Sequence, residues 1–146
     1  QHGAEVNLQD SVGGTALMAV AYKGHERIVD MLIRHGAEIN LQANDGATAL
    51  IIAACYGHER TIDTLIQNGA EINLQHSVGG TALTFAARYG RPAVMRQLLR
   101  VGADMTLCTK KGMTALQWAK EKGQTECVRA LEEHAAAEKA AEKAAK

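Results

Sequence analysis

The tripeptide Thr-Ala-Leu occurs at residues 15–17, 48–50, 81–83 and 114–116, a constant step of 33 residues. Gly13, Gly46, Gly79 and Gly112 keep that step, as do Gly24, Gly57, Gly90 and Gly123, and Gly3, Gly36, Gly69 and Gly102. Residues 10–42 and 43–75 are identical at 19 of 33 aligned positions, where roughly two would arise by chance from ordinary composition. Self-similarity at such a period is the mark of a structural unit that is duplicated and stacked. It constrains the fold more than any other property of the chain.

Within the unit, Thr15 stands where a helix N-cap is expected, because its hydroxyl can accept an otherwise orphaned backbone N–H. A helix is predicted from Ala16 to Lys23, ending at Gly24, whose lack of a side chain suits a left-handed C-cap. A second helix is predicted over residues 25–35. There Ile28, Val29, Leu32 and Ile33 form one apolar stripe, and Gly36 stops it. Residues 38–41 read as short and extended, and Asn44-Asp45-Gly46 reads as a turn. Each unit is therefore helix, helix, hairpin. Helices of about nine residues do not persist alone in water, so each unit must cover its apolar stripe with a neighbour. Ala21, Ala54 and Ala87 share one position and allow close helix approach, while Ala19, Ile52, Phe85 and Trp118 share another, read as core or surface lining.

The unit G-x-T-A-L-x-x-A-x-x-x-G-H-E-R-x-x-D-x-L-I-x-x-G-A-E-I-N resembles the ankyrin repeat over residues 1 to about 134. That family's pattern runs Thr-Pro-Leu-His, then Gly-His, Leu-Leu and Gly-Ala-Asp-Val-Asn. Two departures recur: Ala16, Ala49, Ala82 and Ala115 replace the Pro, and Met18, Ile51, Thr84 and Gln117 replace the His, so the family's Thr–His hydrogen bonds are expected to be missing. The resemblance implies an all-α solenoid of helix-turn-helix pairs with short β-hairpin loops. The expected division is the tail of a preceding repeat (1–9), repeats at 10–42, 43–75 and 76–108, a capping repeat at 109–134 and an Ala/Glu/Lys helical extension at 135–146. The tail His2-Gly3-Ala4-Glu5-Val6-Asn7-Leu8 parallels residues 35–41, so the first repeat is expected to lack an N-terminal cap. Ala135 replaces the stopping Gly, so the last helix should run on into the extension, a solvated helix or spacer.

The resemblance also implies function. Ankyrin stacks bind partner proteins or peptides through hairpin tips and the exposed end of each first helix. Carried onto this chain, the tips are Ser11, Val12, Gly14, Asn44, Asp45, Ala47, Ser77, Val78, Gly80, Lys110, Lys111 and Met113. The helix ends are Tyr22, Lys23, Cys55, Tyr56, Arg88, Tyr89, Glu121 and Lys122. Tyr22, Tyr56 and Tyr89 are all the tyrosines of the chain, and Tyr and Arg are favoured interface anchors. Asn40 and Asn73 resemble the context hydroxylated by an asparaginyl hydroxylase in this family, against the plainer reading of an Asn that bonds the hairpin backbone. The alternative function is a structural spacer or engineered ankyrin scaffold without a ligand of its own.

Composition sets limits on the other classes. The 146 residues make one domain, with 16 basic and 16 acidic side chains. A neutral chain carries no global attraction for nucleic acid or membrane. The charge is nonetheless uneven: residues 1–75 hold nine acidic and four basic side chains, residues 76–146 seven and twelve. No run of about 18 apolar residues suits a membrane span, and the start of the sequence does not read as a signal peptide. Cys55, Cys108 and Cys127 are odd in number, widely spaced and without a CxxC pair. They fit a reducing, intracellular compartment, cytoplasmic or nuclear, rather than a disulfide or zinc framework. The glycine-rich stretch 11–15 precedes a helix but lacks the Gly-Lys-Ser/Thr ending of a phosphate loop, and residues 45–48 fill the same slot, so a turn is the better reading. His25 and His58 are one repeat apart and read as helix-start residues rather than metal ligands. Cys55 and His58 could be nucleophile and base, but Gly57 intervenes and no third group orients them. Cys127 falls at the position of Ile28 and Val94 and reads as a small core residue. No cofactor, metal or catalytic residue is expected. A monomer is expected, with end-to-end stacking open to its uncapped first repeat.

Overall fold

The structure, a computed structural model, describes residues 5–145. His2, Gly3 and Ala4, read above as part of a repeat's tail, lie outside the described residues. Among the described residues eight helices pair up: α1 (Ala16–Lys23) with α2 (Glu26–Arg34), α3 (Ala49–Tyr56) with α4 (Glu59–Gln67), α5 (Ala82–Arg88) with α6 (Pro92–Arg100), and α7 (Ala115–Glu121) with α8 (Thr125–Ala145). The first members form an inner layer, α1 against α3, α3 against α5 and α5 against α7. The second members form an outer layer in the same order.

Local chemistry sets each boundary. Thr15, Thr48, Thr81 and Thr114 are extended N-caps whose side chains accept the N–H of Met18, Ile51, Thr84 and Gln117. Met18 and Ile51, which replace the family's His, are buried apolar residues. Thr84 and Gln117 instead reach back: Thr84 Oγ1 accepts the Thr81 N–H at 2.6 Å and Gln117 Oε1 accepts the Thr114 N–H at 2.8 Å. Two of the four inner helices thus carry reciprocal capping boxes. Gly24 and Gly57 end α1 and α3 in the left-handed region.

The hairpins are tight turns, with antiparallel bridging among the described residues only between Cys108 and Thr114. Their tips hang on one another. The N–H of Asn44, Ser77 and Lys110 donates to the carbonyl of Val12, Asp45 and Val78, each at 2.8 Å. This stacking explains the glycine at the tip. Gly46 has φ 89°, and a Cβ there would stand 2.8 Å from the Ser77 nitrogen, so conformation and space both exclude a side chain.

The core is a row rather than a ball. Leu17, Leu50 and Leu83 from the inner helices, with Val29, Ile62, Leu65, Val94, Leu98 and Cys127 from the outer ones, are buried between successive repeats. The alanines Ala21, Ala54 and Ala87 are fully buried, as close packing of the inner layer requires. Of the series Ala19, Ile52, Phe85 and Trp118, Ala19 is exposed and the other three are half-buried. They line the inner face rather than fill the core, because their side chains project from the side of the inner helices that no second layer covers. The final outer helix continues well beyond its repeat, and residues 136–145 are exposed throughout.

Candidate functional site

Turn tips and inner helices enclose a groove. Its first part, about 630 Å³, lies between the tips of the first two repeats, with Asp10, Val12, Asn44 and Asp45, and the inner-helix residues Met18, Ala19, Tyr22, Lys23, Ile52 and Tyr56. Its second part, about 300 Å³, is lined by Asp45, Ala47, Ile51, Ile52, Cys55, Tyr56, His76, Phe85, Tyr89 and Arg91. Asp45, Ala47, Ile52 and Tyr56 border both, so the two parts adjoin. The walls are largely aliphatic and aromatic, with Asp10, Lys23, Asp45, His76 and Arg91 among the lining.

Repetition places Tyr56 and Tyr89 at one position, and Tyr22 stands one residue earlier in its own repeat. Tyr22, Tyr56 and Tyr89 come from the C-terminal ends of three successive inner helices and are 51%, 48% and 47% exposed. Tyr22 and Tyr56 meet edge to face with ring centroids 4.7 Å apart, and Tyr56 stacks on His58 at 6.4 Å. Arg88 lies over both Tyr89, at 5.3 Å, and Trp118, at 5.1 Å, while Lys122 lies 5.7 Å from the Trp118 centroid. The strip therefore begins aromatic and apolar and ends aromatic and cationic.

One register position fixes the helix ends that carry these rings. His58 Nε2 is 2.8 Å from the Tyr22 carbonyl oxygen, Arg91 Nε donates to the Cys55 carbonyl at 3.0 Å, and Gln124 Nε2 donates to the Arg88 carbonyl at 3.2 Å. Three unlike residues, each 33 apart, cap the last turn of the inner helix in the preceding repeat. A second ladder runs along the loops. Asn40 Oδ1 accepts the Glu71 N–H at 2.8 Å while its Nδ2 donates to the Gly69 carbonyl at 3.1 Å, and Asn73 Oδ1 accepts the Asp104 N–H at 3.0 Å.

Of the residues expected at the interface, the groove brings together Val12, Gly14, Tyr22, Lys23, Asn44, Asp45, Ala47, Cys55, Tyr56 and Tyr89. Ser11, Ser77, Val78, Lys110 and Lys111 are exposed at the tips but outside these two cavities, and Met113 is half-buried. Arg88 and Lys122 extend the strip over Trp118, with Glu121 exposed beside them. Gly80 is a correction: it is buried, and a Cβ there would stand 2.9 Å from the Phe85 ring, so it offers no contact to a partner. Asp10, Met18, His76 and Arg91 join the site without a sequence signal, whereas Ile52, Phe85 and Trp118, which the sequence reads as core or lining, lie along the inner face.

Burial pushes the Cys55 thiol up to about 11, against the pull of Arg88 and Arg91, so it is protonated and poorly nucleophilic at neutral pH. Burial also raises Cys127. The backbone N–H of Ala47 holds the Asp45 carboxyl below its ordinary value, opposed by burial and aided by His76, whose Nε2 is 3.4 Å away. Among the described residues no three His, Cys, Asp or Glu side chains gather where they could hold a metal ion, and no helix is long and apolar enough to cross a membrane.

A family model described as ankyrin repeats in three copies matches residues 2–76 and again 63–143. No curated protein is similar enough to match. Proteins of this kind generally act as protein-interaction modules and are typically not enzymes. Stacked helix pairs whose inner helices are capped by threonine, tip hydrogen bonds that recur every 33 residues and a match over nearly the whole length lead to one conclusion: the chain belongs to the ankyrin-repeat family.

Proposed function

We propose that this chain is a non-enzymatic module that holds a partner protein or peptide in the groove between its turn tips and inner helices. The observation that carries the reading is that all three tyrosines, each about half exposed, line two adjoining and largely apolar cavities, with Tyr56 bordering both. Half-exposed rings backed by a rigid helix layer can bury large area at little entropic cost when a partner arrives. The free thiols of Cys55, Cys108 and Cys127 support a reducing compartment, cytoplasmic or nuclear, and a monomer is the working unit.

Replacing Tyr56→Ala and Tyr89→Ala together tests the proposal, since both rings stand at the surface and their loss leaves the core intact. Each is expected to contribute about 1–2 kcal/mol to binding, so the double variant should lose proteins that the wild-type chain retains from a cell lysate. Retention of the same proteins by both would refute it. If neither chain retains a saturable partner, the spacer reading gains, to which the long exposed end of α8 already lends weight. Asn40 and Asn73 are proposed as hydroxylation sites only in a secondary capacity, because their amides already serve the turn of the next repeat. A one-oxygen mass increase at either residue after co-expression with an asparaginyl hydroxylase would establish it.

A further inference from the structure

We propose that the groove takes an extended peptide segment of fixed charge order, its basic end over Asp10 and Asp45 and its acidic end over Arg88 and Lys122. This rests on the groove reading above and specifies the partner's chemistry and direction. At the first end, Asp10 Oδ1 is held by the backbone N–H of Val12 and Gly14, at 3.0 and 2.8 Å, and Asp10 makes no ion pair among the described residues. Asp45 is fixed in the same way by Ala47, at 2.9 Å. Both carboxylates border the larger cavity, where Lys23 is the one basic lining residue. Two anions held in place by backbone N–H groups, Asp10 without an ion pair among the described residues and Asp45 with only His76 Nε2 at 3.4 Å, stand beside the apolar cleft of Tyr22 and Tyr56 and suit a Lys or Arg whose stem packs on the rings while its head reaches a carboxylate.

The opposite end has the opposite sign. Arg88 packs against the rings of Tyr89 and Trp118 and makes no ion pair among the described residues. A guanidinium held beside two rings and without an ion pair suits a carboxylate, which it can bind in a bidentate fork. Lys122 shares the Trp118 ring, with Glu121 the nearest acid in sequence. Helices in contact lie about 8–10 Å apart, so the three steps from α1 to α7 span roughly 25–30 Å. An extended chain advances about 3.3 Å per residue, and about eight residues therefore reach from one end to the other. A ligand laid the wrong way would set like charges against each other at both ends, which favours one direction over the other.

Selection of random 12-residue displayed peptides against the whole chain tests this. Enriched peptides should carry Lys or Arg at one end, Asp or Glu at the other and a large apolar residue between. By fluorescence polarisation, Asp10→Asn plus Asp45→Asn, which keeps the turn acceptors, should weaken the best peptide about tenfold. Arg88→Gln plus Lys122→Gln should do likewise, and a peptide with its charged ends exchanged should bind wild type about a hundredfold less well. Peptides that require Tyr56 and Tyr89 but show no charge order, or ignore both pairs of substitutions, would overturn the polarity and leave the groove reading standing. Peptides indifferent to Tyr56→Ala plus Tyr89→Ala, or no enrichment at all, would overturn both.

Discussion

Replacing Thr61→Val should stabilise this protein, although the same change at Thr48 should destabilise it. Both threonines are buried, at 1% and 2% exposure. Thr48 Oγ1 accepts the Ile51 N–H at 3.1 Å as the cap of α3, whereas Thr61 Oγ1, inside α4, has no hydrogen-bond partner. The residues equivalent to Thr61 are Ile28, Val94 and Cys127, all apolar. A buried hydroxyl without a partner costs about 1–3 kcal/mol. Valine has nearly the same volume and helix propensity, so a gain of about 1–2 kcal/mol is expected. Loss of the Thr48 cap should cost about 1 kcal/mol. For a chain of this size each kcal/mol moves Tm by roughly 2–4 °C, so the two variants should separate by about 4–12 °C on opposite sides of wild type. Urea unfolding followed by far-ultraviolet circular dichroism measures both, and an unchanged slope would show that the unfolded state is not responsible. A neutral or destabilising Thr61→Val would refute the reasoning, since it would mean that the hydroxyl is satisfied.

Charge at one register position should be tolerated or ruinous depending on its burial. Ile28→Asp, at 43% exposure, should change stability by less than about 1 kcal/mol, and Val94→Asp, at 1%, should cost at least about 3 kcal/mol by the same urea assay. Iodoacetamide should label exposed Cys108 first, Cys55 slowly and buried Cys127 only on unfolding, as read by peptide mass mapping. Because the folded Cys55 value is raised from 9.0 to about 11, its contribution to stability is complete below about pH 9 and lost as pH rises through 11, where its labelling should accelerate. Asp45 titrates the other way. Its lowered folded value gives stability that is present above the ordinary 3.8 and lost as pH falls below it, so Asp45→Asn should flatten the acid end of the stability profile.

Much of this architecture is legible in one sequence because repetition supplies its own alignment. Thr15 and Gly24 mark the ends of α1, and each recurs with the period. The tyrosine strip follows for the same reason: a helix-end position in one repeat is a helix-end position in the next. Less legible is what varies at a fixed position. His58, Arg91 and Gln124 share no chemistry that would advertise a common task, yet all cap the preceding inner helix. The loss of the family's His suggested lost hydrogen bonds, but Thr84 and Gln117 restore capping bonds by a different route. Gly80 was placed at a tip by its register, whereas the bulk of Phe85 covers it. Such cases depend on which side chain happens to reach a free backbone group, and spacing alone does not encode that.

The most direct test of partner recognition in the groove is an amide chemical-shift titration of the labelled chain with the tightest displayed peptide. The largest shifts should fall at Tyr22, Tyr56 and Tyr89 and at the tips around Val12 and Asp45, with the outer-helix residues Arg34, Arg60 and Arg100 unmoved. Shifts gathered on the outer helices, with the tyrosine strip silent, would contradict it.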